Sequence, residues 1–384
     1  MNRDEKVSAT RRSFLAAGVV LPAAGLASVR APGAAFYQSP AALPVRTLGK
    51  TGMKVTRLGF GCMITSDPSV ISRAVDMGIT YFDTARRYQQ GNNERMVGAA
   101  LKGARNRITL SSKSGGKTKA EAMQDLETSL KELGTDHLDI WYMHARDEAA
   151  AIPDECLEAW TAAKKEGKIR AIGVSTHNPN NIADRVMQAG IFDVVLVQYN
   201  FASGNTIDAT LKRFSEAGLG LVGMKVVAPA AGRGRGGAAA TPPVPGKPVA
   251  ALKWVLRNPL IDTIVPSMTD MDQLEANLRA VNERFGPEDE KLLAALNEEI
   301  RPYYCRACHR CDGQCPQGLP VADVIRFASY TDFYGQYTVG RERFLELPER
   351  LQKVRCEDCA ACAIRCPNGV RVQERLIRAQ QLYA

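Results

Sequence analysis

Between Arg57 and Ser267, short apolar runs alternate with longer stretches whose apolar residues recur at helical spacing. Eight of the short runs read as strands: Arg57–Cys62, Thr80–Asp83, Ile108–Lys113, Leu138–His144, Arg170–Ser175, Val194–Tyr199, Gly220–Val226 and Thr263–Ser267. Lys119–Leu133 and Asp154–Glu166 exemplify the amphipathic helices between them. Ahead of the first strand, Val45 to Val55, with Gly49 and Gly52, reads as a hairpin closing the bottom of a barrel. Eight strand–helix units suit a closed parallel (β/α)8 barrel better than an open doubly wound sheet. No Gly-rich dinucleotide fingerprint follows the first strand, which argues against a Rossmann domain but not against a nicotinamide cofactor.

Three successive strands finish on an ionisable residue: Asp83, Lys113 and His144. Tyr88 follows Asp83 in the loop beyond its strand. In a parallel barrel the carboxyl ends of the strands share one face, so these four side chains are expected to converge there. A phenol beside an ammonium is expected to be acidified, with Asp83 holding Lys113 charged and His144 orienting a carbonyl. Such a site suits protonation of the alkoxide formed when a carbonyl accepts hydride, and the hydride must come from a cofactor.

The run Asp83-Thr84-Ala85-Arg86-Arg87-Tyr88, followed by Lys113 and His144 at the next two strand ends, resembles the aldo-keto reductases from about Val45 to about Glu299. The resemblance implies Tyr88 as general acid/base, with Asp83, Lys113 and His144 completing a tetrad, and NADP(H) or NAD(H) as the hydride source. It also implies Ser175 and Gln198 on the nicotinamide carboxamide, and Met224 where most members stack an aromatic residue. Ser267, Gln273 and Asn277 fall where the adenosine ribose and its phosphate would sit. Members that prefer NADPH usually carry Lys and Arg there; Ser267 and Gln273 are neutral, so the sequence leaves NADPH and NADH both open. Pro229 to Pro248 is either a solvated loop or a lid carrying Arg233 and Arg235. His177 is a lesser candidate for the pocket wall, and Cys62 reads as a small buried residue.

The last 80 or so residues hold eight of the ten cysteines. Cys305, Cys308, Cys311 and Cys315-Pro316 form C-x2-C-x2-C-x3-C-P, and Cys356, Cys359, Cys362 and Cys366-Pro367 repeat it. This is the bacterial ferredoxin spacing for two [4Fe–4S] clusters. In two-cluster ferredoxins the fourth cysteine of each run crosses over. Cys305, Cys308, Cys311 and Cys366 are therefore expected on one cluster, and Cys356, Cys359, Cys362 and Cys315 on the other, with a purely local grouping as the alternative. Zinc and disulfides fit this spacing poorly. The aromatic and charged stretch Val321 to Leu351 between the runs suggests a helical module docked on the barrel.

Thr10-Arg11-Arg12-Ser13-Phe14-Leu15 and the apolar run to Val29 resemble a twin-arginine export signal. The expected organisation is therefore a signal segment at 1–35, a barrel at 43–300 and a small, mainly helical ferredoxin-like iron–sulfur domain at 301–384. The expected location is the periplasm, reached through the twin-arginine export machinery, with a cleaved signal or a retained anchor. The net charge of +9 in 384 residues is spread along the chain with no basic stripe interleaved with aromatics, so nucleic acid is not an expected partner. The main functional expectation is an enzyme reducing a small carbonyl substrate, an aldehyde or ketone, with the clusters serving structure or an electron-transfer partner protein. The alternative is an exported electron carrier that uses the barrel as scaffold.

Overall fold

The computed structural model describes residues 42–203, 206–230 and 246–384. The export segment and the arginines of the loop after the seventh barrel strand, Arg233 and Arg235, lie outside the described residues.

Two short strands, β1 (Val45–Thr47) and β2 (Lys54–Thr56), pair antiparallel as the predicted hairpin. Its Leu48 and Val55 are fully buried among the side chains of the barrel interior and close its lower end. Eight parallel strands follow: β3 (Phe60–Gly61), β4 (Tyr81–Asp83), β5 (Thr109–Ser114), β6 (Leu138–Met143), β7 (Ile169–Thr176), β8 (Val194–Gln198), β9 (Gly220–Met224) and β10 (Thr263–Ile264). They pair in sequence order, and the bridges Leu58–Ile264 and Gly61–Ser267 join the last strand to the first. The predicted helix Lys119–Leu133 is present with the same bounds. Thr118 starts it with a capping box against Glu121, and Gly134 ends it in a left-handed turn at φ +64°.

Strand periodicity places the chemistry. Phe82, Leu110, Trp141, Met143, Ile172, Val174, Val195 and Val197 point outward into the core under the helices. Their alternates, among them Tyr81, Ile140, Tyr142, Ala171, Leu196 and Val222, fill the barrel. Continuing the inward register to the carboxyl ends gives Asp83, Lys113, His144, Ser175, Gln198 and Met224, so one parity rule brings six candidate residues to one mouth. Space inside is tight. A Cβ on Gly173 would sit 2.3 Å from the Tyr142 ring, so β7 uses glycine where that ring crosses the barrel.

The C-terminal module packs onto the same mouth. Its helices are Val321–Tyr334, Tyr337–Leu345, Glu349–Gln352 and Val372–Tyr383. Leu319, Val324, Phe327, Phe344, Leu376 and Tyr383 form their shared core, against which Cys305, Cys311, Cys315, Cys362 and Cys366 pack. The first two helices and the last cross closely at Gly340, where a Cβ would lie 2.7 Å from the Phe327 carbonyl oxygen. A further apolar cluster bridges module and barrel, with Tyr304 and Phe333 packed edge to face at 5.4 Å beside Phe201 and Ala250. Among the described residues no helix is long and apolar enough to cross a membrane.

Candidate active site

Asp83 ends β4 with both carboxylate oxygens engaged. Oδ1 accepts the Ser111 hydroxyl at 2.7 Å, and Oδ2 accepts the Lys113 ammonium at 2.6 Å. Lys113 also donates to the Thr84 carbonyl at 2.6 Å and is fully buried at the end of β5. Beneath them Tyr81 and Tyr142 share a hydroxyl hydrogen bond of 2.8 Å, which extends the polar chain into the barrel. Tyr88 starts a short 3-10 turn, Tyr88–Gly91, in which Gln89 and Gln90 adopt φ +49° and +55°. Left-handed backbone at two adjacent non-glycine residues is strained, and such strain gathers at functional sites. The Gln89 side chain steadies the turn by donating to the Thr65 carbonyl at 2.8 Å.

The turn brings the Tyr88 ring over Lys113, with the ammonium 4.9 Å from the ring centroid. His144 meets the same ring edge to face at 5.7 Å. Its Nδ1 is buried without a hydrogen-bond partner among the described residues. An orphaned buried nitrogen costs about 1–3 kcal/mol and marks a place where a ligand is expected to supply the partner.

The electrostatics depart from the sequence expectation. Burial, followed by the Asp83 carboxylate, drives the Tyr88 phenol well above its ordinary value. Lys113 does not acidify it, because that ammonium is itself drawn down by burial and is committed to Asp83. Tyr88 therefore keeps its proton through neutral pH. Burial, then the charges of Lys113 and Arg343, push His144 well below its usual range, so it is a neutral imidazole. The phenol held below its ordinary value is Tyr330 of the module, where Lys225, Arg326 and Arg343 together outweigh burial.

From Tyr88 a cleft runs past Met224 to Ser267, Gln273 and Asn277, with Phe333 and Tyr334 of the module along its rim. Four of the six proposed cofactor contacts line this one groove. Lys225 is the one cation among its described lining residues. The Gln273 amide is held by Thr269 and Asp270, at 2.9 and 2.5 Å. Ser175 borders a second pocket with Tyr88, Lys113 and His144, and its hydroxyl accepts the Ala145 amide at 2.8 Å. Gln198 faces an adjoining cavity beside Cys305. His177 borders both the pocket and that cavity, paired with Asp147 at 3.2 Å. Cys62 is fully buried in the core outside the strands.

Residue-by-residue reading of the sequence missed the module's share of the pocket. Tyr330, Val339, Glu342 and Arg343 form one wall of it. The aromatic and charged character of Val321 to Leu351 was the available signal, but nothing in it indicates which side chains face the barrel.

None of the ten cysteines is in a disulfide. Burial and the neighbouring Cys311, Cys308 and Cys366 thiols push Cys305 up to about 12. Burial and the company of Cys359, Cys315 and Cys362 push Cys356 up to about 11. The structure thus brings the cysteines together in the crossed grouping. Ala307 and His309, both at φ +53°, bend the first loop, and the Ala307 amide donates to Cys305 Sγ at 3.4 Å. The Asn368 amide donates to Cys308 Sγ at 3.3 Å. Four thiols per group with N–H donors aimed at sulfur fit an iron–sulfur cluster, whose potential such donors tune.

Residues 66–242 match the Aldo/keto reductase family, and residues 304–370 match a 4Fe-4S dicluster domain. L-galactose dehydrogenase of Arabidopsis thaliana is 26% identical over 306 residues, 67% of this chain and 96% of that protein. Aldo-keto reductase YhdN of Bacillus subtilis is 32% identical over 152 residues, 34% of this chain and 46% of that protein. Curated relatives of this higher identity are spanned over about half their length: 55%, 58% and 46%. The holo form of an aldo-keto reductase from Bacillus halodurans superposes with a TM-score of 0.57 at 26% identity, covering 66% of this chain and 96% of that one. An aldo-keto reductase from Klebsiella pneumoniae, solved with NADPH, gives 0.56 at 26%, covering 67% and 95%. The fold is the parallel eight-stranded barrel of the solved aldo-keto reductases. The particular form is one whose chain continues into a 4Fe-4S dicluster domain.

Proposed function

We propose that the protein is an NAD(P)H-dependent oxidoreductase that reduces an aldehyde or ketone to an alcohol. The observation that carries this reading is the arrangement around Tyr88: Lys113 4.9 Å from its ring centroid, His144 at its edge, and Asp83 clamping Lys113 at 2.6 Å. Bound nicotinamide, held along the groove from Met224 to Asn277, would supply the hydride. Tyr88 gives its proton to the carbonyl oxygen, and its raised pKa keeps that proton in place until the oxygen becomes a strong base. Neutral His144 orients the carbonyl, and Asp83 fixes Lys113 under the phenol. The NADPH complex of the Klebsiella pneumoniae reductase and the NADP(+) named for a Schizosaccharomyces pombe relative support this cofactor class.

Cys305, Cys308, Cys311 and Cys366 would hold one [4Fe–4S] cluster, and Cys356, Cys359, Cys362 and Cys315 the second. They tie down the helices that wall the pocket or exchange electrons with a partner protein. Export by the twin-arginine route to the periplasm belongs to the same proposal. Replacing both Arg11 and Arg12 by Lys should keep a fused reporter inside the cell, and continued export would remove this part. The reductase itself is tested by Tyr88→Phe. Turnover of an aldehyde should fall at least about 100-fold with NADPH affinity nearly unchanged; full activity in the variant would sink the assignment.

A further inference from the structure

Lys225 stands where three cavities meet: the groove toward Asn277, the catalytic pocket and the space beside Cys305. β9 ends one residue earlier, and Lys225 itself takes φ +59°, a left-handed turn that an L side chain adopts at a cost of about 1–2 kcal/mol. Its ammonium lies 4.7 and 4.4 Å from the ring centroids of Tyr330 and Tyr334 and 3.7 Å from Met63 Sδ. Among the described residues no carboxylate is within ion-pair distance of it. The nearby acids are committed elsewhere: Asp83 to Lys113, and Asp147 to His177 and Arg326.

Across the catalytic pocket, Arg343 and Arg87 share a single carboxylate, Glu346. Glu342 on the same wall is solvent-exposed and pairs with neither guanidinium among the described residues. Lys225, Arg326 and Arg343 together outweigh burial and hold the Tyr330 phenol below its ordinary value. Burial draws Lys225 down and the Tyr330 phenol draws it back up; a buried amine that faces a phenol but no carboxylate among the described residues, and lines the same pocket as Tyr88, is a recognition element awaiting an anion.

We propose that Lys225 anchors a carboxylate carried by the carbonyl substrate, with Arg343 as the second cation, so that the substrate class is oxo acids. The inference rests on the reductase reading of the pocket. The module contributes Tyr330 and Arg343, so the selectivity belongs to barrel and module together.

The test uses the full chain purified anaerobically, with 4-oxobutanoate and butanal as substrates and butanoate and butanamide as unreactive probes. Wild type should prefer 4-oxobutanoate over butanal by about tenfold or more in kcat/KM, chiefly through KM. In Lys225→Met the loss for 4-oxobutanoate should exceed the loss for butanal by about tenfold, and Lys225→Arg should restore most of it. By calorimetry on NADPH-loaded protein, butanoate should bind in preference to butanamide in wild type and in Tyr88→Phe, and lose that preference in Lys225→Met. Iron content and circular dichroism verify that each variant is folded. Equal butanoate affinity in wild type and Lys225→Met overturns the proposal. So does a Lys225→Met defect confined to NADPH affinity, which would put Lys225 on the cofactor pyrophosphate, or butanoate binding that is lost only in Tyr88→Phe. If no form reduces either aldehyde, the reductase reading falls, and the butanoate measurements still decide the role of Lys225.

Discussion

The Asp147 carboxylate, in the loop after β6, lies 3.3 Å from the Arg326 guanidinium on the first helix of the module. The same carboxylate accepts the His177 backbone amide at 2.6 Å and its imidazole at 3.2 Å, just beyond β7. One acid on the barrel therefore holds both a pocket residue and the module that roofs the pocket. Burial raises Asp147, but His177 and Arg326 outweigh it and hold the carboxyl far below the usual carboxylate range.

Asp147→Ala leaves Arg326 with Asp323 alone and removes the partner of the His177 amide. We expect a loss of about 2–4 kcal/mol in anaerobic denaturation, together with faster protease cleavage between barrel and module. Unchanged stability and cleavage would show that the apolar contacts around Tyr304 and Phe333 alone hold the module.

Lys113→Met should lower turnover by about 100-fold or more, because it removes the charge beneath Tyr88 and leaves buried Asp83 with only the Ser111 hydroxyl. It should also cost about 3–5 kcal/mol of stability, the range for breaking a buried ion pair from one side. A variant that kept its turnover while losing stability would make Lys113 purely structural.

The pH dependence follows from the directions of the shifts. Tyr88 is raised, so reduction at saturating substrate should hold its rate through neutral pH and decline only above about pH 10, the ordinary phenol value. A decline centred near pH 8 would revive an acidified phenol. His144 is lowered and neutral in the folded state. As pH falls below about 6.5 the unfolded chain takes up a proton that the folded site refuses, so stability falls with pH there. Asp147, held low, adds stability that is full above its unfolded value near 3.8 and is lost as pH falls further. Denaturation between pH 4 and 8 should show the His144 part diminish in His144→Asn.

The crossed cysteine grouping predicts the outcome of a double replacement. Cys305→Ser with Cys366→Ser should remove one cluster and leave about half the iron, because both thiols serve the same site. A local grouping would lose both clusters. Iron and sulfide analysis with electron paramagnetic resonance of the reduced protein separates the two results.

The strands, the hairpin under the barrel and the helix Lys119–Leu133 were legible because each follows from local periodicity. Asp83, Lys113, His144, Ser175, Gln198 and Met224 share a mouth because each continues the inward parity of its strand, a relation between a residue and its own neighbours. The cysteine runs were equally plain, since ligand spacing around a cluster is a local matter.

What the chain alone established was therefore the barrel, the inward register of its strand ends and the two four-cysteine runs. The tertiary structure decided the rest. Tyr88 is raised rather than acidified because burial and the Asp83 charge act through space. Tyr330, Val339, Glu342 and Arg343 join a pocket whose barrel residues lie more than a hundred positions earlier. Packing of the module sets Lys225 against the rings of Tyr330 and Tyr334, and no carboxylate among the described residues pairs with it. Desolvation and Coulomb interactions depend on distance in the folded molecule, and separation along the chain does not encode that distance.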